Sequence, residues 1–261
     1  MADSPQTPVI EVDGLTARFG ENTIFERVSF RVNPGEILVI LGGSGCGKST
    51  LLKHLIGLYQ PAAGRVILNG VDLGAAKARE LRRMKMGMGV LFQSGALFGS
   101  MTVAENVGLP LQEYTGLSSR EIEDIVRMKL ALVNLAGYGN HLPEEISGGM
   151  KKRAGLARAM ALDPGVLFFD EPSAGLDPIS AAELDILIKS INTGMGTTMV
   201  VVTHELESIF SIAHRIIMLD KSARGIIAAG DPRDLKENSP DPRVADFFNR
   251  RPGAGHPSKG H

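Results

Sequence analysis

The chain has 261 residues, 43% of them hydrophobic and 22% charged, so it can bury one large core or two smaller ones. Its formal net charge of −1 argues against a broad nucleic-acid surface, which would require an excess of basic residues. Residues 1–8 lack the pattern of a secretory signal, and no apolar run approaches the roughly 20 residues that cross a bilayer; we therefore expect a cytoplasmic protein, or one held at a membrane by partners.

The first predicted elements are two strands joined by a turn. Residues 9–19 show strand-like alternation, residues 20–22 form the turn, and residues 27–32 return as the second strand. Phe19 lies just before the turn. It is either a core residue or an exposed ring on which an adenine base would stack.

A glycine-rich segment follows the apolar run at residues 37–41 and leads into a helix at residues 51–56. It fits the pattern G-x-x-x-x-G-K-[ST] with Gly42, Gly43, Ser44, Gly45, Cys46, Gly47, Lys48, Ser49 and Thr50. Its glycines permit positive φ, so backbone N–H groups can point at a polyphosphate near the helix N-terminus. We expect Lys48 to bind phosphate, Ser49 to ligate Mg²⁺ and Thr50 to bond phosphate or cap the helix. The alternative is an ordinary glycine-rich turn before a core helix.

Cys46 is the only cysteine, so no intrachain disulfide can form. Its position beside Lys48 and a helix N-terminus predicts a lowered thiol pKa and sensitivity to alkylation. The alternative is that Cys46 only fills space in the loop.

Residues 64–70 are predicted as a short strand, residues 71–83 as a polar, basic helix, and residues 86–92 as an apolar strand that stops at Gln93. Beyond Gln93 the sequence indicates helices rather than strands. Thr102 with Glu105 and Ser118 with Glu121 have the spacing of capping boxes.

One face of the helix after Ser118 is predicted to be apolar, comprising Ile122, Ile125, Val126, Leu132 and Val133. A second helix, at residues 151–162, follows Ser147, Gly148 and Gly149, which together make a second candidate anion site at a helix N-terminus. Residues from about 94 to 161 therefore read as a helical subdomain inserted into an α/β core.

The apolar run at residues 166–169 predicts a buried strand that ends in Asp170 and Glu171. Asp170 is suited to hold Mg²⁺ through its water shell, and Glu171 to polarise an attacking water. Pro178 is expected to open a helix after the loop containing Asp177. A further strand at residues 198–202 brings His204 to the same sheet edge, where it is suited to bond a γ-phosphate or the attacking water.

These motifs occur in the order and approximate spacing of ATP-binding cassette (ABC) ATPases, which residues 9–235 resemble. The resemblance implies a RecA-like P-loop NTPase core with an N-terminal antiparallel β subdomain and the inserted helical subdomain. It implies that Phe19 stacks on adenine, that Gln93 senses Mg²⁺ and a transmembrane partner, and that Asp177 lies in the dimer loop. Glu171 would be the catalytic base and His204 the switch histidine. Residues 147–149 would be the signature that contacts the ATP of a partner subunit, although Ile146 and Met150 depart from its commonest form.

A finer resemblance is to the ATPase subunits of Mla-type phospholipid transport systems. It rests on residues 89–98, on the Ser-Gly-Gly-Met signature, and on residues 241–244 with the following Phe247 and Phe248. It implies a homodimer that uses ATP and Mg²⁺ at the cytoplasmic face of the inner membrane. The implied partners are a permease, a mammalian-cell-entry (MCE) lipid-binding protein and a small accessory subunit, with no nucleic acid.

Two surfaces are predicted from this resemblance. Residues 93–106, including Phe98 and Met101, would line the groove that receives a permease helix, the alternative being interior packing. In the tail at residues 236–261, an apolar cluster of Val244, Phe247 and Phe248 is a candidate for docking on a neighbouring ATPase or accessory subunit. Residues 252–261 are expected to be mobile.

Three other functions remain open. A cassette for another solute would have the same catalytic residues. A non-transport cassette ATPase acting on DNA or ribosomes would usually carry a second cassette or a long coiled coil, neither of which the sequence contains. A P-loop kinase would explain Lys48 and Asp170 but not residues 147–149 or His204.

Overall fold

The computed structural model describes residues 7–250, which form two sheets with helices packed around them. The strands in this range are β1 (Ile10–Phe19), β2 (Asn22–Val32), β3 (Ile37–Gly42), β4 (Ala63–Leu68), β5 (Val71–Asp72), β6 (Met88–Leu91), β7 (Val166–Asp170), β8 (Thr198–Val202), β9 (Arg215–Asp220) and β10 (Gly225–Gly230). The α-helices are α1 (Lys48–Leu55), α2 (Ala78–Met86), α3 (Val103–Tyr114), α4 (Ser119–Leu132), α5 (Gly148–Ala159), α6 (Pro178–Met195), α7 (Leu206–Ile212), α8 (Pro232–Asn238) and α9 (Pro242–Phe248). A 3₁₀ turn spans Pro143–Glu145.

The larger sheet has six strands in the order β10-β9-β3-β8-β7-β6. Its strands run parallel except for β10, which is antiparallel to β9 at the edge. Both faces of this sheet are buried, which explains why β3, β7 and β8 are apolar without alternation. Successive residues of β3 point to opposite cores: Ile37 and Val39 pack in one cluster, and Leu38 and Ile40 in the other.

The smaller sheet is antiparallel, with the order β2-β1-β4-β5, and it packs against one face of the larger sheet. The predicted strand pair at the N-terminus and the α/β fold class are confirmed. The predicted helix at residues 71–83 is wrong at its beginning, because Val71 and Asp72 pair with Leu68 and Ile67 of β4. The helix begins only at Ala78.

Between β6 and β7 the chain is helical, and the signals for where these helices begin are confirmed. Thr102 accepts a hydrogen bond from the Glu105 N–H while the Glu105 side chain accepts from the Thr102 N–H, and Ser118 with Glu121 repeats the arrangement. Leu132 is an exception to the predicted apolar face of α4, because its side chain is 41% exposed and Leu130 is buried instead. The domain limits 9–235 and 94–161 stay predictions.

The predicted outward docking of the C-terminal apolar cluster is corrected by the position of α9. Val244 and Phe248 are buried in the core of their own chain, and the Phe248 ring centroid lies 5.6 Å from that of Phe210. Arg243 supports this packing, because its Nη1 donates to Asp220 Oδ1 at 2.8 Å. These two apolar side chains are therefore not free to dock on another subunit in this conformation. The segment expected to be mobile, residues 252–261, lies outside the described residues.

In the range 7–250, no helix combines the length and the apolar character that a bilayer span requires.

Candidate functional site

The candidate site lies where four parallel strands end at one edge of the larger sheet. Strands β6, β7, β8 and β3 are neighbours in that order, and Val202 at the end of β8 pairs with both Ile40 and Asp170. The loops that follow these strands carry Gln93, Glu171, His204 and the glycine-rich segment. The sheet topology thus brings together residues that are up to 162 positions apart, such as Gly42 and His204.

The glycine-rich loop leaves β3 at Gly42 and enters α1 at Gly47, and at both positions glycine is required. Gly42 has φ 146°, and a Cβ there would lie 2.2 Å from the Leu219 carbonyl oxygen. Gly47 has φ 101°, and its Cβ would lie 2.7 Å from Ile24 Cγ2. Any side chain at either position would clash with its neighbours, so the loop depends on these two glycines.

Lys48 is folded back over this loop. Its Nζ donates to the carbonyl oxygens of Gly42 at 2.9 Å and Gly43 at 3.2 Å. The ammonium group therefore sits beside the loop N–H groups and the N-terminus of α1, where an anion would bind.

Ser49 and Asp170 meet across the base of the loop. The Ser49 hydroxyl donates to Asp170 Oδ1 at 3.2 Å, although the two residues are 121 positions apart. A hydroxyl and a carboxylate are both ligands that Mg²⁺ prefers, and a metal bound by two protein oxygens takes its other ligands from water and phosphate. The residues present therefore fit the metal that the sequence predicted.

Glu171 and His204 form a hydrogen-bonded pair. His204 Nδ1 lies 3.0 Å from Glu171 Oε1 and donates to it, since a carboxylate can only accept. Oε2 is buried and lies 2.9 Å from the same His204 nitrogen, so the imidazole sits against both carboxylate oxygens. The Glu171 backbone has φ 49°, an unfavourable value for a residue with a side chain.

A cleft of about 970 Å³ opens over these groups. The predicted residues that line it are Gly42, Gly43, Ser44, Gly45, Gly47, Lys48, Ser49, Thr50, Gln93, Glu171 and His204. Asp170 joins them through its bond with Ser49. One face of this cleft is thus rich in N–H donors and carries a lysine, and the other carries a carboxylate and an imidazole, as the transfer of a phosphoryl group to water requires.

Phe19, Asp177 and the signature residues 147–149 do not line this cleft. Phe19 ends β1 with its ring 49% exposed and 5.4 Å from the Tyr59 ring, edge to face. Ser147 caps α5, its Oγ accepting from the Met150 N–H at 3.3 Å, and it is exposed together with Gly148, while Gly149 is half-buried. Asp177 caps α6 and accepts from the Ser180 hydroxyl, which is the main reason that its pKa is lowered. The roles assigned to these residues stay predictions.

Sequence reasoning did not find all the residues at the cleft. Ile24, Glu205, Leu206, Phe247 and Arg250 also line it. Glu205 directly follows His204, so its proximity could have been inferred from the strand end. No sequence signal relates the two C-terminal residues to a loop 200 positions earlier.

The loop that carries Gln93 is fixed from α5. Arg158 donates to the carbonyl oxygens of Gly95 at 3.0 Å and Ala96 at 2.7 Å. Gly155 allows the same close approach, because a Cβ there would lie 2.9 Å from the Gly95 oxygen. The helix that begins at the signature therefore also supports the loop of Gln93.

The predicted lowering of the Cys46 pKa is wrong, and the alternative, that Cys46 fills space in the loop, agrees with its position. Cys46 is 2% exposed and does not line the cleft. Burial raises its pKa, and this effect outweighs the nearby Lys48 charge and the backbone hydrogen bonds, which lower it. Proximity to a cation was inferred correctly, but the burial of the side chain could not be inferred from its neighbours in sequence.

We therefore expect native protein to react with a thiol reagent at pH 7 at least roughly ten-fold more slowly than unfolded protein, because both the access and the thiolate fraction are reduced. Reaction with Ellman's reagent, followed by absorbance with and without guanidinium, measures this difference. Cys46 is the only thiol, so a Cys46→Ala variant gives the background. Equal rates in the two states would contradict the buried position.

Comparison with known proteins places the chain in a family. The family model described as ABC transporter matches residues 25–174. The chain is 45% identical over 247 residues to the probable ribonucleotide transport ATP-binding protein mkl of Mycobacterium tuberculosis, covering 95% of this chain and 68% of that protein. It is 42% identical over 242 residues to the intermembrane phospholipid transport system ATP-binding protein MlaF of Escherichia coli K12, covering 92% and 88%.

Solved structures agree with this family. A dimeric bacterial ABC transporter cassette superposes with a TM-score of 0.77 at 30% identity, covering 85% of this chain and 98% of that one. A dimeric ATP-binding cassette in a post-hydrolysis state, bound to ADP and Pi, gives a TM-score of 0.76 at 29% identity with the same coverage. The chain belongs to the ABC transporter family, and it is an ATP-binding, ATP-hydrolysing subunit of that family.

Proposed function

We propose that this ATPase drives a membrane transporter that moves phospholipid between membranes. The observation that carries the proposal is the 42% identity to MlaF over almost the whole of both chains. MlaF of Haemophilus influenzae supports it equally, with 42% identity over 241 residues that cover 92% of this chain and 90% of that protein. The proposed site of action is the cytoplasmic face of the inner membrane, reached through partner proteins.

Hydrolysis is assigned to the Glu171–His204 pair. Glu171 acts as the general base that takes a proton from the attacking water, since this residue lines the cleft beside the phosphate loop. His204 orients the carboxylate through Oε1 and is placed to meet the γ-phosphate once ATP is bound. Lys48 and the loop N–H groups bind the phosphates, and Phe19 stacks on the adenine.

Mg²⁺ is proposed as the second cofactor. Ser49 and Asp170 would hold it, with Gln93 at the border of the same cleft. When bound, the ion would neutralise part of the phosphate charge that develops during transfer. The protein's own contribution is to hold two oxygen ligands beside the phosphate loop.

The working unit is proposed to be a homodimer. The signature residues Ser147, Gly148 and Gly149 begin a twelve-residue helix but do not line the cleft of their own chain. An N-terminus of this kind attracts anions, so it is suited to the ATP of a second copy. Asp177 would lie at the contact between the copies, and both cassette structures described above are dimers.

The permease is proposed to dock on residues 93–106. Asn106, the last residue of this segment, is buried, and its side chain holds the backbone of the preceding residues. It accepts from the Phe98 N–H at 2.7 Å and donates to the carbonyl oxygens of Phe98, Met101 and Thr102. The Phe98 backbone is held while its ring remains 53% exposed. An anchored aromatic side chain on the surface is a suitable contact for a partner helix. An MCE lipid-binding protein and a small accessory subunit are the further proposed partners.

A second candidate is transport of another solute, since the mkl relatives carry the words ribonucleotide transport in their names. The two functions are distinguished by tagging the chain in its host, solubilising membranes gently, and identifying the proteins and lipid that co-purify. A permease, an MCE protein and phospholipid would support the proposal. A permease with a periplasmic solute-binding protein would keep the ATPase and overturn the lipid, whereas a soluble complex with nucleic acid or ribosomes would overturn transport.

A further inference from the structure

Lys152 is a buried cation that the roles described above do not explain. It lies in α5 five positions after Ser147, and it is only 5% exposed. Lysine is rarely this buried unless its charge has a partner. Its Nζ donates to the backbone carbonyl oxygen of Glu171 at 3.3 Å.

The carbonyl group that accepts from Lys152 belongs to Glu171, whose backbone conformation is strained. Glu171 has φ 49°, an unfavourable backbone conformation for an L-residue with a side chain. Its N–H donates to the Val202 carbonyl at 2.8 Å, and its own carbonyl also accepts from the Ala174 N–H at 3.2 Å. The bonds at both ends of Glu171 hold the peptide planes, and these planes determine where the carboxylate points.

The Glu171 carboxylate also affects the charge of Lys152 electrostatically, although no direct ion pair is formed between the two side chains. Burial lowers its pKa, while the Glu171 carboxylate opposes that effect. Burying a charge costs hydration free energy, and a single hydrogen bond to a backbone carbonyl does not fully offset that cost. Fold stability alone therefore does not account for a lysine at this position.

We propose that Lys152 is a positioning residue for hydrolysis, which holds the Glu171 backbone so that the carboxylate stays against His204 and faces the cleft. This inference rests on the proposed role of Glu171 as the base. It also gives α5 a second role, because the helix that presents Ser147 to a partner's ATP then fixes the base in its own chain.

The test replaces Lys152 with Met, which keeps the length of the side chain but removes the donor and the charge. In full-length protein purified with its partners, kcat for ATP should fall roughly 10- to 100-fold, the loss expected when a reacting group is displaced by about 1 Å. The KM for ATP and the thermal midpoint should stay unchanged, because Lys152 does not line the cleft and its replacement leaves no buried charge. Lys152→Arg, which retains a cationic donor, should recover most of kcat.

Lys151→Met is the matched control, because it makes the same change one position earlier, at a half-buried lysine. It should leave kcat within about two-fold. The double variant Lys152→Met with Glu171→Gln tests whether Lys152 acts through the base, since two residues acting as one unit are not additive. Adding Lys152→Met to Glu171→Gln should then lower the residual rate by less than about two-fold.

A Lys152→Met protein with normal kcat would overturn the inference, as would a loss of kcat that parallels a loss of thermal stability and that Arg does not recover. If Glu171→Gln alone stops turnover while Lys152→Met does not, only the role of Lys152 is wrong. If Glu171→Gln retains full turnover, the assignment of the base fails and the positioning role fails with it.

Discussion

Replacing Glu171 with Gln is expected to lower the ATP turnover of this protein by a factor of about 10²–10⁴, the usual contribution of a general base. Gln has nearly the same shape, and its amide oxygen can still accept from His204, which in the wild-type protein lies 3.0 Å from Oε1. It cannot take a proton from water at neutral pH. ATP binding should persist, because Lys48 and the glycine-rich loop that are proposed to bind phosphate are unchanged.

The measurement has two parts, the steady-state release of phosphate and the equilibrium binding of a fluorescent ATP analogue. A variant that binds the analogue with wild-type affinity but turns over slowly should also accumulate as an ATP-bound dimer, visible by size-exclusion chromatography with light scattering. Glu207→Gln makes the same acid-to-amide change at an exposed position of α7 that does not line the cleft, and it should hydrolyse ATP normally. Unchanged turnover in Glu171→Gln would show that another group activates the water.

The parts of this site that the sequence predicts are those fixed by short stretches of chain. An apolar run that does not alternate indicates a buried parallel strand, and the polar residues after it must then lie at the carboxyl edge of the sheet. For this reason the sequence alone predicts that Asp170 and His204 lie near Lys48. The capping boxes of α3 and α4 likewise depend on residues only three positions apart, and the predicted hydrogen bonds form in both.

Features that depend on packing between distant elements were predicted poorly. The Cys46 thiol lies next to a cation in sequence, but the desolvation that raises its pKa comes from the packing around it. The polar, basic character of residues 71–83 predicts a helix that includes Val71, whereas in the structure Val71 pairs with Leu68 of β4. A buried lysine such as Lys152 resembles any surface lysine in sequence, and only its contact with Glu171 distinguishes it.

The C-terminal tail is a further feature whose packing against distant elements could not be predicted from the sequence. The sequence predicts a docking surface at Val244, Phe247 and Phe248, since an apolar cluster in a polar segment has no evident partner within the chain. In the structure Phe248 packs against Phe210 of the same chain, and Val244 lies in the same core cluster. This packing carries Phe247 and Arg250 to the border of the ATP cleft, so the C-terminal segment is part of the site's surroundings.

The second large effect is expected from Lys48→Ala, and it should appear in binding rather than only in turnover. In the free protein Lys48 Nζ donates to the carbonyl oxygens of Gly42 and Gly43, and these bonds hold the ammonium group over the loop before ATP arrives. A hydrogen bond to a charged group contributes about 1.5–3 kcal/mol, so the dissociation constant for ATP should rise by roughly 10- to 150-fold.

Titration with a fluorescent ATP analogue measures this change, and Lys85→Ala supplies the control, because Lys85 is exposed on α2 and does not line the cleft. The contrast with Glu171→Gln is the informative result. If the loop binds phosphate and Glu171 activates water, one variant loses affinity and the other loses turnover at full affinity. A Lys48→Ala protein that binds ATP as tightly as the wild type would mean that the N–H groups of the loop and the N-terminus of α1 hold the phosphates by themselves.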